Sequence, residues 1–243
     1  MSCLAVLPVR LDSNRLRRKA LLKETGKYLF QHTYEGAAKA RKVGRVLVAT
    51  DSPEIAAAAR SFGAEALMTS PEHRCGTDRV REAAAKVPEA NLVLNIQGDY
   101  PEIRPGDIDL LVQTLEKPGV DAATLVTPFR PGEDPADPHL VKVVADKDGR
   151  ALYFSRSPIP HGFQGRKPEY LRHVGIYGFQ RKTLEAFVSL PQSPLEVSEG
   201  LEQLRLLENG FSLHVALTDS PAHGIETEAD YRSFVSRAGR SRT

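Results

Sequence analysis

The chain is short of cysteine, of long apolar runs and of net charge, and each shortage closes off a class of protein. Its 243 residues include 2 cysteines, Cys3 and Cys75. Two such residues make no disulfide framework and have no metal-ligand spacing, so a reducing cytoplasm is the expected setting. Cys3, inside an apolar run, reads as a small core residue. No stretch approaches the length of a membrane span, and no signal peptide precedes the first apolar run, so no membrane partner is expected. The net charge is +2, which gives no bulk attraction to nucleic acid. No GxGxxG follows the first strand and no GxxxxGK[ST] occurs, so the usual dinucleotide fingerprint and P-loop are missing. What remains, with 41% hydrophobic and 26% charged residues, is an ordinary globule, long enough for one large α/β domain.

The positive charge that is present is concentrated. The apolar run Leu4 to Leu7 stops at Pro8, and Arg10, Arg15, Arg17, Arg18 and Lys19 follow within ten positions. Cations packed that closely repel one another unless an anion sits among them. Arginine forks and a lysine point charge suit phosphate or carboxylate. A buried strand running into such a loop is how an α/β sheet presents a polyanion site at its carboxyl edge. The same loop could also be a solvated turn. A second group of arginines (Arg232, Arg237, Arg240, Arg242) forms a tail expected to fray.

Strand and helix patterns alternate through the first half. Strands are expected at Ala5 to Leu7, Arg45 to Thr50, Ala64 to Met68 and Asn91 to Gln97. Helices are expected at Tyr28 to Lys42, through Arg60 after a cap at Asp51 or Ser52, at Thr77 to Lys86 and at Pro105 to Leu115. This order predicts an α/β fold with a Rossmann-like, mainly parallel sheet flanked by helices. The second half reads as an antiparallel addition, with strands at Asp121 to Pro128, Val141 to Ala145, Ala151 to Phe154 and Arg172 to Phe179. The pair Asp148-Gly149 reads as a hairpin turn. Pro191 to Pro194 reads as a loop and Glu199 to Glu208 as a helix closed by Asn209-Gly210. A strand from Phe211 to Leu217 and a helix from Thr227 to Arg237 complete the chain. No linker divides it, so a single domain over 1–243 is expected, with an antiparallel subregion at about 125–180.

Five groups of residues could carry chemistry. The first is the cationic loop. The second is Gln97-Gly98-Asp99, whose carboxylate would project at the sheet's carboxyl edge and could ligate Mg²⁺ beside a phosphate chain; a turn or cap is the plainer reading. The third is HRCGTDR, His73 to Arg79, where Thr77 and backbone groups could bind a base edge or phosphate, or Thr77 could cap a helix. The fourth pairs Arg156, in FSRSPIP, with His173 and Tyr177 on one face of RHVGIYGF. The fifth is SPLEVSEGLEQLR, with Glu196, Glu202 and Gln203. Each alone is also explained as structure or solvated surface.

Together, LPVRLDSNRLRRK, VATD, HRCGTDR, NIQGD, ALYFSRSPIP, LRHVGIYGF, SPLEVSEGLEQLRLLENG and GIETEAD resemble the sugar-acid cytidylyltransferases from the first strand to the last helix. The likeness is to the branch acting on the eight-carbon acid Kdo (3-deoxy-manno-octulosonate). The resemblance implies transfer of CMP from CTP to the anomeric hydroxyl of Kdo or a related sugar acid with release of pyrophosphate, in support of lipopolysaccharide synthesis. It also implies Mg²⁺, or Mn²⁺ in its place, and a homodimer built on the antiparallel arm. Arg10, Ser13, Arg15 and Lys19 would meet the triphosphate. Arg74, Gly76, Thr77 and Arg79 would surround the cytidine, with Gln97 between nucleotide and sugar. Arg156, His173, Tyr177, Glu196 and Gln203 would meet the sugar acid, and Asp99 and Glu226 would hold the metal. Lys19, Asp99, Arg10 and Arg156 would carry catalysis.

The chain departs from the family's pattern at three places. Arg17-Arg18 replace Pro-Gly before Lys19, Tyr100 replaces an acid after Asp99, and Glu226 stands where the family has Asp. A catalytically weakened or purely binding relative is therefore the competing expectation.

Overall fold

The structure, a computed structural model, describes residues 2–11, 16–220 and 223–240. The chain forms two compact units, one from 1–109 with 221–243 and the other from 110–220.

In the first unit, β1 (Cys3–Pro8) lies between β2 (Arg45–Thr50) and β4 (Leu92–Asn95), with β3 (Ala66–Met68) outside β2. All neighbours are parallel; Leu4 to Pro8 pair with Arg45 to Ala49, and Cys3 to Val6 with Leu92 to Asn95. Every residue of β1 and β4 is buried, which is why both read as unbroken apolar runs. Helices α1 (Leu29–Ala38), α2 (Pro53–Ser61) and α3 (Gly76–Ala85) pack on these strands. Ser52, not Asp51, caps α2: its Oγ accepts from Ile55 N at 3.3 Å, and Pro53 fills the first turn. A further helix, α4 (Pro105–Leu115), leads into the second unit.

The last helix of the chain, which we number α8 (Glu228–Arg240), belongs to the first unit. Tyr231 and Phe234 bury with Leu16, Leu29 and Ile225. For Arg232 and Arg237 the expected frayed tail is corrected, because burial of that apolar face holds the helix down, while Arg242 lies outside the described residues. Arg237 donates to both carboxylate oxygens of Glu102 at 2.8 and 2.6 Å, and Arg232 donates to Glu228 at 3.0 Å.

In the second unit, β5 (Ala122–Pro128) pairs antiparallel with β8 (Leu171–Gln180) and parallel with β9 (Leu213–Leu217). The hairpin β6 (Lys142–Ala145) and β7 (Ala151–Ser155) turns through Gly149 at φ 84°, and β6 also pairs antiparallel with β8. The α/β class, with a parallel sheet and an antiparallel addition, is as the alternation predicts. The helices of this unit are less so. Helix α5 (Arg181–Ser189) follows β8 without a loop. Of the helix expected at Glu199 to Glu208 only its second half forms, as α7 (Leu204–Glu208); Glu199 is instead the last residue of a helix that begins earlier, α6 (Pro194–Glu199), which Gly200 ends at φ 61°. Pro194, expected in a loop, is the first residue of α6. Among the described residues no helix is long and apolar enough to cross a membrane.

Candidate active site

At the carboxyl end of β1 and β4 the first unit opens into a pocket of about 330 Å³. Arg10, Lys19, Arg74, Gly76, Gln97 and Asp99 all line it, so six residues named from three separate sequence segments converge. Two glycines permit this closeness. A Cβ on Gly98 would lie 2.9 Å from Val9 Cγ2, and one on Gly76 would lie 3.1 Å from Gln97 Nε2. Ser13 and Arg15 lie outside the described residues.

Lys19 is the centre of the pocket's electrostatics. Its Nζ donates to Asp99 Oδ2 at 2.5 Å and to Ile225 O at 2.7 Å. Ile225 is fully buried in the α8 cluster, and its N–H donates to Asp99 O at 2.9 Å. The apolar anchor thus brings a segment from the far end of the chain against the QGD turn, with Glu226 as the next residue. An ammonium seated between a carboxylate and a carbonyl marks an oxygen-lined position for a cation. Among the described residues no cluster of three or more His, Cys, Asp or Glu could cage a metal alone. That donor set suits Mg²⁺, which takes one or two carboxylates and completes its shell with phosphate and water oxygens.

Arg18 adopts φ 53° and ψ 30°, the left-handed conformation that costs a non-glycine residue about 1 kcal/mol. Its guanidinium is held by Glu54. The Tyr100 ring lies against Gly224, where a Cβ would come 3.3 Å from Cε2.

Thr77 and Arg79 sit behind the pocket wall. Thr77 lies inside α3 and does not cap it. Its hydroxyl is buried and accepts from Asn95 Nδ2 at 3.1 Å, while Asn95 Oδ1 accepts from Gln97 Nε2 at 2.8 Å. Thr77 therefore orients Gln97 through Asn95. Arg79 is fully buried, held by Thr69 and by Asp51, whose Oδ2 is 2.9 Å from Nη2.

The remaining named residues lie in the second unit. Arg156 donates from Nε to Glu199 O at 2.6 Å, from Nη1 to Pro138 O at 2.7 Å and from Nη2 to Gly200 O at 3.2 Å. These side-chain partners are neutral carbonyls, so the guanidinium is fixed while, among the described residues, no carboxylate is bonded to it. Glu199 anchors this arrangement by accepting from Ser155 Oγ at 2.7 Å and Arg156 N at 2.8 Å. Lys142, fully buried, donates to Asp137 O at 3.0 Å and to Arg156 O. Burial pushes the Lys142 ammonium below its ordinary pKa.

Glu196 has a structural task. Its carboxylate takes a bidentate pair from Arg205 at 2.7 and 2.5 Å and closes a capping box with Ser193 N at 3.1 Å. Burial raises its pKa, but the Arg205 guanidinium and the Ser193 N–H outweigh that and hold it below the usual value. Gln203 is 4% exposed and, among the described residues, its Nε2 has no hydrogen-bond partner, a donor left for a ligand. His173 and Tyr177 have ring centroids 5.3 Å apart on β8. Burial, then the nearby Arg172 charge, pushes the His173 pKa down to about 3, so the imidazole is neutral.

Asn95, Thr69, Glu199 and Lys142 escaped sequence reasoning because each acts on a neighbour that does bear a motif. Asn95, a polar residue inside the apolar run NLVLNI, was the one visible signal.

Residues 4–217 match the family model described as Cytidylyltransferase. The chain is 46% identical over 235 residues to a 3-deoxy-manno-octulosonate cytidylyltransferase of Chlorobaculum tepidum, covering 95% of this chain and 94% of the relative. It is 41% identical over 246 residues to the enzyme of that name from Rhodopirellula baltica, covering 98% of each. Among solved structures it is similar to CMP:2-keto-3-deoxy-manno-octonic acid synthetase complexed with CTP, with a TM-score of 0.94, 40% identity and coverage of 99% and 100%.

Proposed function

The chain belongs to the cytidylyltransferase family, and on that premise we propose that it transfers CMP from CTP to the anomeric hydroxyl of Kdo in a Mg²⁺-dependent reaction. The observation that carries the reading is the pocket in which Lys19 contacts Asp99 beside Arg10, Arg74 and Gln97. Likeness across nearly the whole length to a structure holding CTP supports it. The comparisons lend no support to the purely binding alternative.

The sugar acid's C2 hydroxyl oxygen forms a bond to the α-phosphorus, the bond from that phosphorus to the bridging oxygen breaks, and pyrophosphate departs with the electron pair. The hydroxyl proton passes to solvent or a basic group. Such a transfer depends on positioning and charge neutralisation. Arg10 and Lys19 supply fixed positive charge toward the triphosphate. Gln97, held by Asn95, offers a preset amide. Arg156, bonded through its side chain to neutral carbonyls among the described residues, offers its charge to the sugar-acid carboxylate. Asp99 and Glu226 would hold Mg²⁺, or Mn²⁺, which when bound supplies Lewis-acid neutralisation of phosphate charge. Glu226 is a methylene longer than the family's Asp, and the adjoining Ile225 backbone is pinned to Asp99.

The reading extends to a homodimer working in the cytoplasm. Leu152 and Phe163, 59% and 68% exposed within the 125–180 stretch, support an interface there. The absence of a disulfide between Cys3 and Cys75 suits a reducing compartment. The test of function is pyrophosphate release followed with CTP and Kdo, omitting each component and the divalent ion in turn. Release that needs all three is expected. Binding of CTP with no release under any metal would reject the reading.

A further inference from the structure

Strands β5 and β8 fall out of step at one place. Thr124 pairs with Tyr177, but Leu125 pairs with Val174, so the register shifts by two residues of β8 between Thr124 and Leu125. A bulge of this kind removes carbonyls from the ladder and demands other partners for them. Thr124, which is fully buried, supplies one. Its Oγ1 donates to Ile176 O at 2.7 Å and approaches Val174 O at 3.2 Å.

A hydroxyl has one proton to donate. Both of these carbonyls can only accept, so the Thr124 proton is committed to them. The same Oγ1 lies 2.9 Å from His173 Nε2. With its proton used, Thr124 can only accept there, and Nε2 must carry the hydrogen. In a neutral imidazole the other nitrogen, Nδ1, is then a bare acceptor. Among the described residues Nδ1 has no hydrogen-bond partner, and the flanking groups are the rings of Phe154 and Tyr177, with centroids 5.2 and 5.3 Å away.

We infer that Thr124 is a positioning residue that fixes His173 as the Nε2–H tautomer, so that Nδ1 reads a hydroxyl donor of the sugar acid. The inference deepens the proposed function and rests on it for the identity of the ligand; the tautomer itself does not. An acceptor at this place favours a substrate hydroxyl that can turn its proton inward and disfavours a deoxy analogue, which would leave Nδ1 bare.

The test uses the full chain with ¹⁵N-labelled histidine, His173 being assigned by its loss in His173→Gln. Long-range ¹H–¹⁵N correlation near neutral pH, without substrate, is expected to give the Nε2–H pattern. In Thr124→Val, which keeps the shape and removes the hydroxyl, the pattern is expected to become mixed. KM for Kdo should rise about tenfold while KM for CTP stays within twofold. Thr124→Ser should restore both readouts. An Nδ1–H pattern in the unaltered protein overturns the inference, and so does a Thr124→Val protein that keeps both the pattern and the KM. If Thr124→Val does not fold, the pattern in the unaltered protein and in Thr124→Ser still decides. A correct tautomer in a protein that never uses Kdo would defeat the functional reading and leave the Thr124 assignment standing.

Discussion

Replacing Glu196 by alanine tests whether that carboxylate holds the fold or the ligand. Its partner Arg205 has a side chain 8% exposed, and Glu196 is 6% exposed. The pair is bidentate, and the guanidinium also stacks 4.6 Å from the Phe187 ring centroid and approaches Phe187 O and Leu190 O at 3.4 and 3.3 Å. Truncation takes the bidentate carboxylate away from a buried guanidinium, which costs about 3–5 kcal/mol. It also opens the capping box at the start of α6, adding to the loss. In a chain of this length each kcal/mol shifts Tm by roughly 2–4 °C, so a fall of roughly 6–20 °C is expected. Urea unfolding and calorimetry read this directly. The double change Glu196→Met with Arg205→Leu should recover most of it, because an apolar pair of similar volume needs no compensation. A Glu196→Ala protein with unchanged Tm and a raised KM for Kdo would refute the structural assignment.

Three further outcomes follow from the geometry. Gly98→Ala puts a methyl 2.9 Å from Val9 Cγ2; it should cost about 1–3 kcal/mol and weaken CTP binding, and calorimetric titration giving wild-type affinity would count against the tight turn. His173 is neutral when folded, with a pKa near 3 against 6.5 for the free side chain, so the unfolded chain binds the extra proton. Stability should therefore fall as pH drops below 6.5 toward 3, by up to about 1.4 kcal/mol per pH unit. His173→Gln should remove that slope, and identical pH profiles would contradict it. Glu199→Ala releases the anchor of Arg156 and should raise KM for Kdo about tenfold with KM for CTP little changed; equal effects on both substrates would reject the positioning role.

The parallel sheet was legible because its strands are buried on both faces and read as apolar runs, as in LAVL and RVLVAT. The pocket was legible because its residues cluster at strand ends: Pro8 to Arg10 after β1, and Gln97 to Asp99 just beyond β4. Helix α5 was not, since only Thr183, Leu184 and Phe187 face inward and Gln180 before it makes no side-chain cap. The start of α6 was written in Ser193-Pro194-Leu195-Glu196, a capping box with proline at the first turn, yet two prolines nearby suggested a loop. Which acids bind and which brace cannot be read along the chain. Glu196 and Asp99 both sit in motif segments, and what the structure adds is the buried Arg205 on one and the pocket beside the other.

The most direct test of the central claim is single-turnover pyrophosphate release from CTP and Kdo with Mg²⁺, comparing the unaltered protein with Asp99→Ala and Lys19→Ala. If Lys19 and Asp99 together organise charge around the triphosphate, each variant should stay folded and lose about a hundredfold or more in rate. Rates within twofold of the unaltered protein in both variants would contradict the account.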